Sequence, residues 1–113
     1  MATDIHAKLS NLGISAQKVR LVVDTVRGKP VVDAINSLKF MTQGAAKPVG
    51  KLIVSAVSNA EENFGVSRDD LYIYTITADE APTRKWRRFG ARGRFKPILR
   101  RSSHVSVVLR ERE

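Results

Sequence analysis

The chain contains no cysteine in its 113 residues. That single absence removes disulfide scaffolds, thiolate metal sites and cysteine nucleophiles together, and is compatible with a reducing interior. Aromatic residues make up only 6%. Apolar runs such as Leu21-Val22-Val23, Leu52-Ile53-Val54 and Val107-Val108-Leu109 stop after three residues, where a membrane helix needs about 20. No membrane-crossing segment is expected. Met1 to Gly13 carries Asp4 and no apolar core stretch, so no secretory signal is expected there either.

Catalytic chemistry is equally scarce. His6 and His104 have no cysteine or acidic motif at metal-ligand spacing, and both read as structural or hydrogen-bonding side chains. Asp79 and Glu80 are neighbours on an expected strand, so they point to opposite sides and cannot form a paired-carboxylate site. Gly90-Ala91-Arg92-Gly93 lacks the helix that follows a nucleotide-binding loop. No catalytic residue, metal ligand or cofactor is expected, and the chain does not read as an enzyme.

What is present in excess is positive charge, and it is concentrated. The chain holds 20 Lys plus Arg against 11 Asp plus Glu, a net charge of +9. Arg84, Lys85, Arg87, Arg88, Arg92, Arg94, Lys96, Arg100 and Arg101 place nine cations and no acid in eighteen residues. Outside that window 11 cations balance 11 acids. The whole excess therefore belongs to one segment on a formally neutral body. A run of one sign repels itself and calls for a polyanion, which points to a nucleic-acid partner.

The rest reads as one domain of ordinary size, with 42% hydrophobic residues for its core. Ile5, Ala7 and Leu9 alternate with polar residues as a short strand, followed by a turn from Asn11 to Ile14. Ser15 is placed to cap a helix with its hydroxyl. Val19, Val22, Val23 and Val26 form that helix's apolar stripe, and Gly28 stops it. Pro30 suits the first turn of a second helix carrying Val31, Ala34, Ile35 and Leu38. Val49, Leu52, Ile53, Ala56, Val57 and Ala60 define a third helix, with Pro48 in its first turn and Gly65 at its end. Lys47 and Lys51 stand near its start, against the helix dipole, which suggests a role outside the helix or plain solvation. Leu71 and Ile73 differ in parity from Ile76 and Ala78, so a bulge is expected between them. Val105, Val107 and Leu109 mark a final strand.

The connection from Asp79 to Ser103 holds the basic window and is too long for an unstructured loop in a small domain. Gly90 and Gly93 near its middle, with Trp86, Phe89 and Phe95 around them, suggest an extended hairpin turning near Phe89 to Gly93. Arms of about ten residues at roughly 3.3 Å each reach about 33 Å. Such a ribbon is marginal in water. Its arginines suit phosphate oxygens, and its aromatics suit either base stacking or a small clasp across the hairpin. On composition alone, an architectural DNA-binding protein with a basic β-arm is the alternative reading.

The blocks Ser15-Ala16-Gln17-Lys18-Val19-Arg20-Leu21-Val22, Val26-Arg27-Gly28-Lys29-Pro30, Ser55-Ala56 with Asn59-Ala60-Glu61, Asp79-Glu80-Ala81-Pro82-Thr83 and Arg101-Ser102-Ser103-His104-Val105 resemble the bacterial-type large-subunit ribosomal protein twenty-two family in order and spacing. The resemblance implies an α+β fold: three helices packed on a three-stranded antiparallel sheet, with a long protruding basic β-hairpin at 81–102. It implies a cytoplasmic protein of the large ribosomal subunit that binds large-subunit (23S) ribosomal RNA, supports assembly and lines the nascent-peptide exit tunnel with its hairpin tip. Neighbouring large-subunit proteins and the nascent polypeptide are the further partners; no membrane and no homo-oligomer are expected. The tip would be Arg88, Phe89, Gly90, Ala91, Arg92, Gly93 and Arg94. Phe89-Gly90 stand where many members have Pro-Arg, and Trp86 and Phe95 are bulkier than usual. The nine cations of the window are the expected RNA contacts on the hairpin. Lys8, Gln17, Lys18, Arg20, Lys29, Lys47, Lys51 and His104 are weaker candidates on the body.

Overall fold

The three apolar periods become three helices, and the alternating stretches become one sheet that buries their stripes. In the computed structural model the order is β1 (Asp4–Leu12), α1 (Ala16–Val26), α2 (Val31–Lys39), α3 (Ala46–Asn63), a short 3-10 turn (Arg68–Asp70), β2 (Leu71–Glu80), β3 (Arg84–Phe89), β4 (Phe95–Arg100) and β5 (Ser103–Glu111). The structure describes residues 4–82, 84–89 and 95–112, with 84–89 and 95–100 described by their backbone. Of the expected hairpin turn near Phe89 to Gly93, residues 90–93 lie outside the described residues.

Strand order is β1-β5-β2, antiparallel throughout. The last strand of the chain is thus the central one. Val19, Val22, Val23 and Val26 of α1, Val31 and Ala34 of α2, and Val49, Ile53 and Ala56 of α3 are buried against Leu71, Ile73, Ile76, Val105, Val107 and Leu109 of the sheet. The bulge in β2 falls where the parity change requires it. Ile73 pairs with Leu109 and Thr75 with Val108, so Tyr74 is the extra residue and both apolar phases face the helices.

Three local expectations shift. Ser15 does precede α1 in extended conformation, but its hydroxyl makes no cap bond; only its carbonyl accepts, from the Val19 N–H at 3.1 Å. The Ser15 side chain instead lines a cleft at the root of the arm. Pro30 sits one residue before α2 and its carbonyl accepts from the Ala34 N–H at 2.9 Å. β1 runs on through the expected turn to Leu12, because β5 is long enough to pair with it as far as Ser103. Asn11 absorbs the irregularity with φ 56°, a left-handed conformation that Asn tolerates. Gly28 and Gly65 close α1 and α3 as expected, with φ 79° and 65°.

The outer edge of β2 is sealed. Ile73 gives its N–H to Lys29 O (2.9 Å) and takes the Gly28 N–H (3.1 Å), so both its polar groups point away from β5. Further along, the Ile76 carbonyl accepts from the Arg27 guanidinium (2.9 Å) and the Ala78 carbonyl from Arg20 Nε (3.0 Å). Two arginines seven residues apart, Arg20 on α1 and Arg27 at its C-terminal cap, therefore pin the helix to the strand and occupy acceptors that an unprotected edge would offer to another chain.

β3 and β4 form a separate two-stranded antiparallel sheet from Arg84↔Arg100 to Phe89↔Phe95. Its root is closed by the Ala81 N–H bonding to Ser102 O at 3.0 Å. The molecule measures 64 × 25 × 19 Å and has a radius of gyration of 17.2 Å, against about 13 Å for a compact chain of this size.

Candidate nucleic-acid interface

The register of the arm brings its cations into opposition. Arg84 stands across from Arg100 and Arg88 across from Lys96. Like charges directly opposite destabilise an antiparallel pair, and a two-stranded ribbon has little stability to spare. Pro97, opposite Arg87, is tolerated because each strand of a ribbon is an edge strand. In the backbone register Lys85 pairs with Leu99, and Trp86 with Ile98. Anions placed around such a ribbon would relieve that opposition by neutralising it from outside. Arg92 and Arg94, with the rest of the expected tip between Gly90 and Arg94, lie outside the described residues.

At the arm's root, exposed Arg101 and Gln17 share a cleft of about 300 Å³ with Ser15, Glu80 and Ser102. On the body, Lys8 from β1 and Lys47 and Lys51 from the first turns of α3 converge on a groove of about 630 Å³, floored by Leu9, Leu12, Pro48 and Leu52. That convergence gives the two lysines a setting beyond their own helix. Lys18 and Lys29 are exposed and line neither hollow.

Two of the body candidates are engaged within the fold. Arg20 spends its Nε on the Ala78 carbonyl. His104, half-buried on β5, accepts the Asn11 N–H at Nδ1 (3.0 Å) and so holds the irregular end of β1. Residues that the sequence did not single out carry other structural duties. Arg27 joins Ile76 O to Asp24, and Arg110 pairs with Asp4 at 2.8 Å while its guanidinium lies 3.4 Å from the centre of the Tyr74 ring. The hydrogen bond from Arg110 holds the Asp4 carboxyl below its ordinary range, and the same bond raises the Arg110 pKa. Their signal was long-range pairing, which no local spacing contains. Among the described residues the ion pairs are Arg27–Asp24, Arg68–Glu61 and Arg110–Asp4. Lys8, Lys18, Lys29, Lys47 and Lys51 belong to none of them.

Among the described residues no group of His, Asp and Glu has metal-binding proximity, and no helix is long and apolar enough to cross a membrane. What the described residues offer is cation surfaces.

Comparison with known proteins agrees with this geometry. The family model described as Ribosomal protein L22p/L17e matches residues 7–110. The large ribosomal subunit protein uL22 of Dehalococcoides mccartyi (strain ATCC BAA-2266 / KCTC 15142 / 195) is 53% identical over 106 residues, covering 94% of this chain and 97% of the relative. The protein of the same name from Mycoplasma mycoides subsp. mycoides SC is 46% identical over 106 residues, covering 94% and 96%. That from Pediococcus pentosaceus is 43% identical over 111 residues, covering 98% and 94%. The chain belongs to the ribosomal protein L22p/L17e family, whose members are structural proteins and not enzymes.

Proposed function

We propose that this chain, as a structural protein of the large ribosomal subunit in the cytoplasm, anchors itself in large-subunit ribosomal RNA through its basic β3–β4 arm. The observation that carries this reading is the cross-strand register, in which Arg84 opposes Arg100 and Arg88 opposes Lys96 on a ribbon set apart from the main sheet. Arg84, Lys85, Arg87, Arg88, Arg92, Arg94, Lys96, Arg100 and Arg101 hold RNA phosphates along the arm. Lys18, Lys29 and Gln17 add body contacts, with Arg20 and His104 contributing through whatever donor capacity the fold leaves them. The tip, Arg88 to Arg94, lines the exit tunnel and meets the nascent polypeptide. By binding several RNA segments at once, the arm supports assembly of the subunit beside neighbouring ribosomal proteins.

Titrating the chain against a fragment of large-subunit RNA at increasing salt tests the anchoring. If each of about nine cations meets one phosphate, the slope of log K against log salt lies near −6 to −8, at roughly 0.7 to 0.9 per contact. A slope shallower than about −2 sinks the reading. Cross-linking in cell extract distinguishes the partners: large ribosomal RNA is expected, and duplex DNA supports the architectural alternative.

A further inference from the structure

The two outer edges of the sheet are treated differently. That of β2 is sealed by Arg20, Arg27, Lys29 and Gly28. That of β1 has no partner strand among the described residues, and the hydrogen-bond pattern identifies which of its groups are available. Ile73, Ile76 and Ala78 turn their carbonyls away from β5, and their partners on β5 are Leu109, Val107 and Val105. In an antiparallel pair a residue directs its N–H and C=O together to one side. These three β5 residues therefore bond to β1, opposite Ile5, Ala7 and Leu9. The intervening His6 and Lys8 turn their backbone N–H and C=O outward. Among the described residues, neither makes a hydrogen bond on that side.

Beside this edge lies the groove of Leu9, Leu12, Pro48 and Leu52, with Lys8, Lys47 and Lys51 around it and no acid in its lining. We infer that β1 and this groove form a docking site for an extended acidic segment of a partner protein, added as a fourth strand. The outward N–H and C=O groups of His6 and Lys8 supply a backbone ladder, alternate partner side chains rest on the leucines, and partner carboxylates meet the three lysines. RNA fits less well. A strand edge presents carbonyl acceptors that repel phosphates, and the groove floor is apolar. A second copy of this chain fits less well too, since the one acid of its β1, Asp4, is held by Arg110 and leaves the three lysines without a carboxylate partner.

The register makes the site testable without unfolding the protein. Proline is tolerated in an edge strand where its missing N–H faces solvent. His6→Pro is therefore expected to fold, while Ala7→Pro breaks a bond to β5 and unfolds. The probe is a soluble decapeptide alternating Glu with Val, beside a copy N-methylated at the edge-facing residues. The basic arm attracts any acidic peptide, so the readout is residue-resolved amide NMR on the full chain.

Expected are saturable shifts at His6, Lys8 and the first turns of α3. They weaken about tenfold in His6→Pro, with the N-methylated peptide, and in Lys47→Glu/Lys51→Glu. Shifts that survive both the proline and the methylation reduce the site to bulk charge and overturn the inference. So does an oligouridylate that occupies the same amides equally well in His6→Pro. Concentration-dependent dimerisation of the chain alone, abolished by His6→Pro, assigns the edge to self-pairing and overturns it as well. A folded Ala7→Pro contradicts the register on which it stands.

Discussion

Ser103 is fully buried, and its hydroxyl donates to the Ile14 carbonyl at 2.9 Å. The bond ties the turn before α1 to the first residue of β5, 89 positions away. Ser103→Ala leaves that carbonyl unpaired and is expected to cost about 1–2 kcal/mol in urea unfolding. Asp4 offers a test by pH. Its pKa is lowered from 3.8 by the Arg110 hydrogen bond, so the stability that the ionised carboxylate supplies is present above about pH 4. It is lost as pH falls through the lowered value. Asp4→Asn is expected to be less stable than the parent at neutral pH, with the difference shrinking as pH falls below about 4, in parallel chemical denaturation series. Convergence of the two curves on raising the pH contradicts the pairing.

At the level of elements, the turn after α1 depends on backbone conformation alone. Gly28 has φ 79°, and no atom lies within 4 Å of the point where a Cβ would stand. Gly28→Ala therefore costs only its left-handed strain, about 1–2 kcal/mol, read as a fall in melting temperature. The helices and the β2 bulge were legible in the sequence because they follow from periods of neighbouring residues. Val19, Val22, Val23 and Val26 must share a face whatever lies opposite, and Ile73 and Ile76 cannot share one without an extra residue. The Ser15 hydroxyl, the continuation of β1 past Asn11 and the use of Arg20 and Arg27 as seals were not legible. Each is decided by a partner distant in the chain: the cleft beside Arg101, the length of β5, and the outward carbonyls of β2. For the candidate site, the sequence located the cation run and its hairpin. It could not show that Lys8 joins Lys47 and Lys51, since that needs β1 laid beside α3. Removing the seal with Arg20→Ala/Arg27→Ala is expected to increase aggregation on mild heating, followed by light scattering.

For the whole molecule, the arm and the body are expected to be separable in energy, since they form separate sheets. Ala81 and Ser102 already close the arm's root, so replacing residues 84–100 with two glycines is expected to shift the melting midpoint by less than about 3 °C. The same change is expected to make the salt slope of RNA binding shallower by about 6 units. A body that unfolds on losing the arm contradicts this division.

The strand order also sets a timetable. β1 and β2 do not pair with each other; each pairs with β5, and Ile5 meets Leu109. During synthesis both must therefore wait, unpaired, until the chain has passed through the whole cationic segment and delivered its last strand. The helices can form early, but the sheet beneath them closes only at the finish. Contacts this distant in sequence slow folding, so the newborn protein has its cationic segment on offer before it has a finished body.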